Sequence, residues 1–148
     1  TAAHEFDNSG SARFLMDFAP PPNEVRLWLH LGAGFAARDF HELGGYSLLP
    51  LQIPDPQRFL VASDSLIPAL RDAFSGESGL SQVYPASAGA AGELNEIIAA
   101  GYPAVIGLFG AHRFHHVMDD RIDKTDPAFI ASVIAALQTA LVRLLAGI

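Results

Sequence analysis

Phe114-His115-His116-Val117-Met118-Asp119-Asp120-Arg121-Ile122-Asp123-Lys124-Thr125-Asp126 is the stretch around which the rest of the chain can be read. Two histidines and four aspartates fall within these thirteen residues. An apolar run, residues 104–109, precedes it, and an amphipathic stretch opening at Pro127 follows it. A buried strand, a loop of metal-type ligands and a capped helix is the order in which an α/β fold presents a site at the carboxyl edge of its sheet.

Working outward, Asp126 is placed to cap the last helix, with Pro127 at its first helical position. Phe129, Ile130, Val133, Ile134, Leu137, Leu141, Leu144 and Leu145 recur at helical spacing, and Gly147 ends the run. Toward the amino terminus, residues 103–109 read as a fourth strand and residues 93–100 as a short helix closed by Gly101. Residues 86–92 form a loop of small side chains, and residues 82–85 a third strand. Asp64 or Ser65 caps a helix through about Phe74, and residues 58–63 are a second strand. Residues 38–55, punctuated by glycine and proline, read as loop or short hairpin. Residues 25–31 are the first strand. A short helix starting at Ser9 or Ser11 precedes it and stops at Pro20-Pro21-Pro22. Strands alternating with helices predict an α/β domain with a largely parallel sheet, thin at four strands.

The chain has 148 residues, which fits a single domain over residues 1–148. A net charge of −7 argues against a nucleic-acid partner, which wants a basic face. There is no cysteine, so disulfides and thiolate metal sites are excluded and any metal must sit on His, Asp or Glu. The longest apolar run, residues 104–109, is far below the ~20 residues of a membrane span, so none is expected. No stretch with a basic start and an apolar core opens the chain, so no signal peptide is visible.

Six histidines occur. His4 stands beside Glu5, His30 ends the first strand, His41 lies in the loop, and His112, His115 and His116 follow the fourth strand. Glu5, His30 and His116 each fall at the carboxyl end of a predicted strand, where side chains converge on one crevice. One carboxylate with two imidazoles is a zinc-type donor set. Asp119, Asp120 and Asp123 are then placed to orient the imidazoles. Against this, loop histidines are commonly surface or hydrogen-bonded residues, and neither His-x-x-x-His nor His-Glu-x-x-His occurs. Asp123 and Asp126 equally serve as turn and cap residues. Ser9 and Ser11 flank Gly10, but Gly-x-Ser-x-Gly is absent, so a nucleophilic serine is disfavoured. Gly32-Ala33-Gly34 is either a phosphate cradle or a turn that lets backbone pass close to a site. Without Gly-x-Gly-x-x-Gly or a following lysine the turn is favoured.

Ala100-Gly101-Tyr102-Pro103-Ala104-Val105 followed by residues 114–126 resembles the co-catalytic zinc aminopeptidases related to bacterial leucyl aminopeptidases and glutaminyl cyclases. There a strand beginning Gly-Ile-Pro-Ala leads to Tyr-His-Thr, then Asp-Thr-x-Asp-Lys-x-Asp and a final helix. Anchored on Asp123-Lys124-Thr125-Asp126, the resemblance places a zinc histidine on His116 and an aspartate on Asp120. Glu93 falls where an aspartate often lies near the pocket, and His115 adjoins the zinc position. His4-Glu5-Phe6-x-x-Ser9-Gly10-Ser11 is similar to the family's Glu-Glu-x-Gly-x-x-Gly-Ser segment. Glu5 then takes a zinc-ligand place and His4 that of the general base. His30 is nearest to the zinc aspartate that ends a strand.

The resemblance covers nearly the whole chain but only the carboxyl-terminal part of the family's catalytic domain. Its His-x-Asp strand and metal-bridging aspartate would lie before Thr1. The resemblance implies a three-layer, zinc-exopeptidase-like fold lacking its amino-terminal strands. It implies hydrolysis of a peptide or small amino-acid-derived substrate with one or two zinc ions. It leans to a secreted or periplasmic location. It leaves room for a homo-oligomer or for association with an upstream segment. Because His4 replaces the base and the bridging aspartate is missing, a catalytically inactive peptide- or partner-binding module on the same fold stands as the alternative.

Overall fold

A computed structural model describes residues 7–146. His4, Glu5 and Gly147, which carry a base, a ligand and a helix stop in the sequence reading, lie outside the described residues.

The elements run α1 (Ser9–Asp17), β1 (Trp28–Leu31), β2 (Arg38–Gly44), β3 (Ser47–Pro54), β4 (Arg58–Ala62), α2 (Ile67–Ala73), β5 (Val83–Pro85), α3 (Leu94–Ala99), β6 (Val105–Gly110) and α4 (Pro127–Ala146). The main sheet has the order β1-β6-β4-β5, while β2 and β3 form a separate antiparallel hairpin. The sheet is mixed, which corrects the expectation of a largely parallel one. β1 is parallel to β6 and β4 to β5, but β4 is antiparallel to β6. The physical cause is the segment between β1 and β4. It is a hairpin, not a crossover helix, so the chain re-enters the sheet from the edge at which β1 left it.

Alternation along the central strands divides the core. Leu60 and Ala62 of β4 join Ile106 and Leu108 of β6 against α2 and α4, where Leu70, Val133 and Leu137 are buried. Val61 of β4 joins Val105 and Phe109 of β6 against α3, where Leu94 and Ile97 are buried, and Leu15 of α1 packs against the same cluster. Helices therefore cover both faces, and β6 is buried along its whole length.

Asp126 caps α4 as its position demands. Its Oδ1 accepts the Ala128 N–H at 2.9 Å and its Oδ2 pairs with Arg38 at 2.9 Å. α4 is docked further by Ser132, which donates to Glu77, and by the Arg143–Asp72 ion pair. By length and composition Pro127–Ala146 is apolar enough to cross a membrane, which short-run counting missed because serine, glutamine and threonine interrupt it. Val133, Leu137 and Ala140 are buried in the core, while Ser132, Gln138, Thr139 and Arg143 face outward. Length and composition are weak evidence for a span when the inward side of the helix is occupied in this way.

The turn after β1 sets how the strand ends meet. Gly34 has φ +78°. A Cβ at Gly34 would lie 2.7 Å from the Gly110 carbonyl oxygen, and one at Gly110 would lie 2.4 Å from the Gly34 carbonyl carbon. This is the close backbone approach that the sequence favoured for Gly32-Ala33-Gly34. Gly110→Ala has only backbone to push against. It is expected to lower the unfolding free energy by at least ~2 kcal/mol in urea titration, toward the upper part of the overpacking range. An unchanged midpoint would mean that the approach is not required.

Candidate functional site

β1 and β6 are parallel neighbours, so their carboxyl ends lie at one sheet edge. A crevice of about 660 Å³ opens there. Trp28, Leu29, Leu31, Phe59 and Phe109 are its larger apolar lining residues, and His30, Glu93, His115 and His116 are its titratable ones. The volume is within the range of small-molecule sites, roughly 300–1,000 Å³. Residues separated by more than eighty positions in the chain thus face one space. His30 is carried by β1, Glu93 precedes α3, and the two later histidines follow β6.

His30 sits against the Phe109 ring, with centroids 5.3 Å apart. Burial lowers its pKa below 6.5, and the Glu93 carboxylate partly opposes that shift. Near neutrality the imidazole is therefore uncharged, with a lone pair able to accept a proton or hold a metal.

The loop after β6 is wound by successive tight turns. The His115 N–H donates to the His112 carbonyl at 2.8 Å, and the Asp120 N–H donates to the Val117 carbonyl at 3.0 Å. Between them, His116 has φ +63°, a left-handed conformation uncommon for a residue with a Cβ. These turns bring His112, His115 and Asp120 together, with one ligand atom of each within 4.8 Å of the other two. Asp120 Oδ1 lies 3.5 Å from His112 Nε2. The His112 side chain is only 3% exposed, and its Nδ1 is buried with no hydrogen-bond partner among the described residues. A buried imidazole nitrogen without a partner forfeits about 1–3 kcal/mol of desolvation. Two nitrogens and a carboxylate could hold a transition-metal ion; the set is not specific to zinc and shares no ligand with Glu5, His30 and His116, the set that the resemblance implies.

The loop is clamped at both ends. The Gly110 N–H donates to Ala33 and the Ala111 N–H to Gln57, while Ala37 bridges to Thr125 at the far end. Lys124, 9% exposed, lies 4.8 Å from the centre of the Phe114 ring. Its ammonium reaches Asp123 at 2.8 Å and Asp119 at 3.3 Å. The hydrogen bond to Asp123 is the main cause of a raised Lys124 pKa and a lowered Asp123 pKa.

Of the residues singled out from sequence, His30, Glu93, His115 and His116 meet in the crevice. Asp120 joins the loop cluster instead, and Asp123 turns to Lys124. His41 is an exposed residue of β2. Sequence reasoning missed His112 as a potential ligand. The signal available was the His112-Arg-Phe-His115 spacing, which becomes a donor pair only when a turn closes it. No family model, curated protein or solved structure matches the chain.

Acid sensitivity follows from His30. Its folded pKa is lowered, so on acidification the unfolded chain takes up this proton first. The stability tied to neutral His30 is complete above about pH 6.5 and is lost as pH falls through the lowered folded value. The urea midpoint is expected to fall between pH 7 and pH 5, and His30→Gln to flatten part of that fall. An identical pH slope in the variant would contradict burial as the cause.

Proposed function

We propose that the chain forms part of a zinc-dependent, aminopeptidase-like hydrolase whose crevice takes a peptide or a small amino-acid-derived substrate. One observation carries the reading: His30, Glu93, His115 and His116 line a single crevice beside an apolar wall. Helices on both sheet faces are compatible with the finer assignment, a three-layer zinc-exopeptidase type of fold.

The roles follow from chemistry. The apolar wall of Trp28, Phe59 and Phe109 receives an uncharged side chain and excludes water from the reacting bond. Glu93 holds a substrate amino group through a charge-assisted hydrogen bond. His30, neutral near pH 7, offers a lone pair to the crevice, and His115 and His116 flank the reacting carbonyl. The metal, when bound, supplies a Lewis acid that polarises that carbonyl and acidifies water to a pKa of about 7. In the resemblance-based scheme His4 acts as base and Glu5, His30 and His116 as ligands, with His4 and Glu5 contributed by the segment outside the described residues.

A second reading, a peptide-binding module without turnover, is favoured by the fact that Glu93 is the only carboxylate lining the crevice among the described residues. Hydrolases with two metals use several carboxylates.

Trp28 is the single tryptophan and lines the crevice, so occupancy reads directly in intrinsic fluorescence. With zinc-loaded protein and aminoacyl p-nitroanilides, fluorescence change accompanied by release of nitroaniline is expected. Glu93→Gln and His30→Gln are expected to lower kcat/KM at least ~100-fold, the low end for a positioned acid–base group. A fluorescence change without product supports the binding module. Neither signal across neutral and charged aminoacyl substrates removes the crevice from consideration as a peptide site.

A further inference from the structure

We propose that His112, His115 and Asp120 together hold one divalent transition-metal ion, zinc or a first-row neighbour, at the rim of the crevice. This rests on the hydrolase reading only for its use in catalysis, since the site itself stands on geometry.

Three atoms that lie within 4.8 Å of one another all lie within about 2.8 Å of one common point, the largest separation divided by the square root of three. Zinc ligands sit at ~2.0–2.2 Å. The remaining gap of about 0.6–0.8 Å is within reach of side-chain rotation, because His115 is half-buried and Asp120 is exposed while His112 stays fixed in the interior. On His112 the nitrogen shown beside Asp120 is Nε2, 3.5 Å from Asp120 Oδ1, and it is the one placed for the ion.

The loop's charges are already divided in a way that leaves Asp120 for this role. Asp119 pairs with Arg121 at 3.1 Å and with Lys124, and Asp123 pairs with Lys124. Asp126 is taken by Arg38 and the α4 cap. Asp120 instead faces His112.

Nitrogen donors exclude a magnesium or calcium preference, because those cations take oxygen ligands. Three protein ligands leave a fourth tetrahedral position, the pattern of a catalytic rather than a structural zinc site. His115 lines the crevice as well as belonging to the group, so an ion held there would sit beside the crevice.

The test is titration of the metal-free full chain with cobalt(II), followed by its visible d–d absorption, with bound zinc quantified by elemental analysis. One ion per chain is expected. His115→Gln and Asp120→Asn are each expected to weaken binding at least ~10-fold, since even partners outside the ligand shell typically cost 10–100-fold. His112 is buried, so His112→Gln is read only where circular dichroism shows a folded chain. The exposed His41→Gln is expected to bind as the parent does. Absence of stoichiometric binding, or affinity unchanged in both His115→Gln and Asp120→Asn, overturns the site. Loss in His116→Gln with retention in Asp120→Asn also overturns it, in favour of the ligand set implied by sequence resemblance. Because no step reads turnover, failure of this site and failure of the hydrolase reading are separable.

Discussion

The structure depends on the contact between two glycines. Gly34, with φ +78°, lies against Gly110, and the Gly110 N–H donates to the Ala33 carbonyl at 2.9 Å. No side chain fits between them. The contact ties the end of β1 to the end of β6, so the two segments that leave those strands start from the same place. One of these is the β2–β3 hairpin and the other is the histidine loop. The Phe40 ring of the hairpin then meets the Phe114 ring of the loop edge-on, with centroids 5.0 Å apart. The sheet edge, the crevice and the loop cluster are consequences of that junction.

Within the loop, like residues carry unlike duties. Four aspartates occur in eight positions, and their neighbours separate them. Lys124 holds two, the start of α4 holds a third, and Asp120 remains beside a buried imidazole. A buried lysine with two carboxylates and an aromatic face stiffens the backbone that carries the donors. Ligands held this way meet an ion with less reorganisation than ligands on a free loop.

Much of the architecture was legible because local signals agreed with tertiary demands. Pro20-Pro21-Pro22 follows α1, Gly101 follows α3 at φ +84°, and Asp126 with Pro127 opens α4. Every predicted strand has a counterpart within a few residues. The sense of the sheet was not legible, since it turns on whether residues 38–55 cross over or fold back, and glycine and proline spacing permits both. Of the site, the placement of His30 and His116 beside one crevice was legible from strand ends, while His115 entered only as the neighbour of the resembled zinc position. His112 was not, because its burial and its turn to His115 are tertiary facts. Asp123 looked equivalent to Asp120 until Lys124 was placed. His4 and Glu5 fall outside the described residues, so their roles rest on resemblance alone.

The crevice and the loop cluster meet at His115, and the location of an ion relative to that residue decides whether they form one site. The most direct measurement is a crystal structure of the zinc-soaked chain, with anomalous difference maps recorded on both sides of the zinc absorption edge. The expected result is one peak within about 2.0–2.2 Å of donors on His112, His115 and Asp120. A peak between His30 and His116 that leaves Asp120 uncoordinated, or no peak at this edge of the sheet, would contradict it.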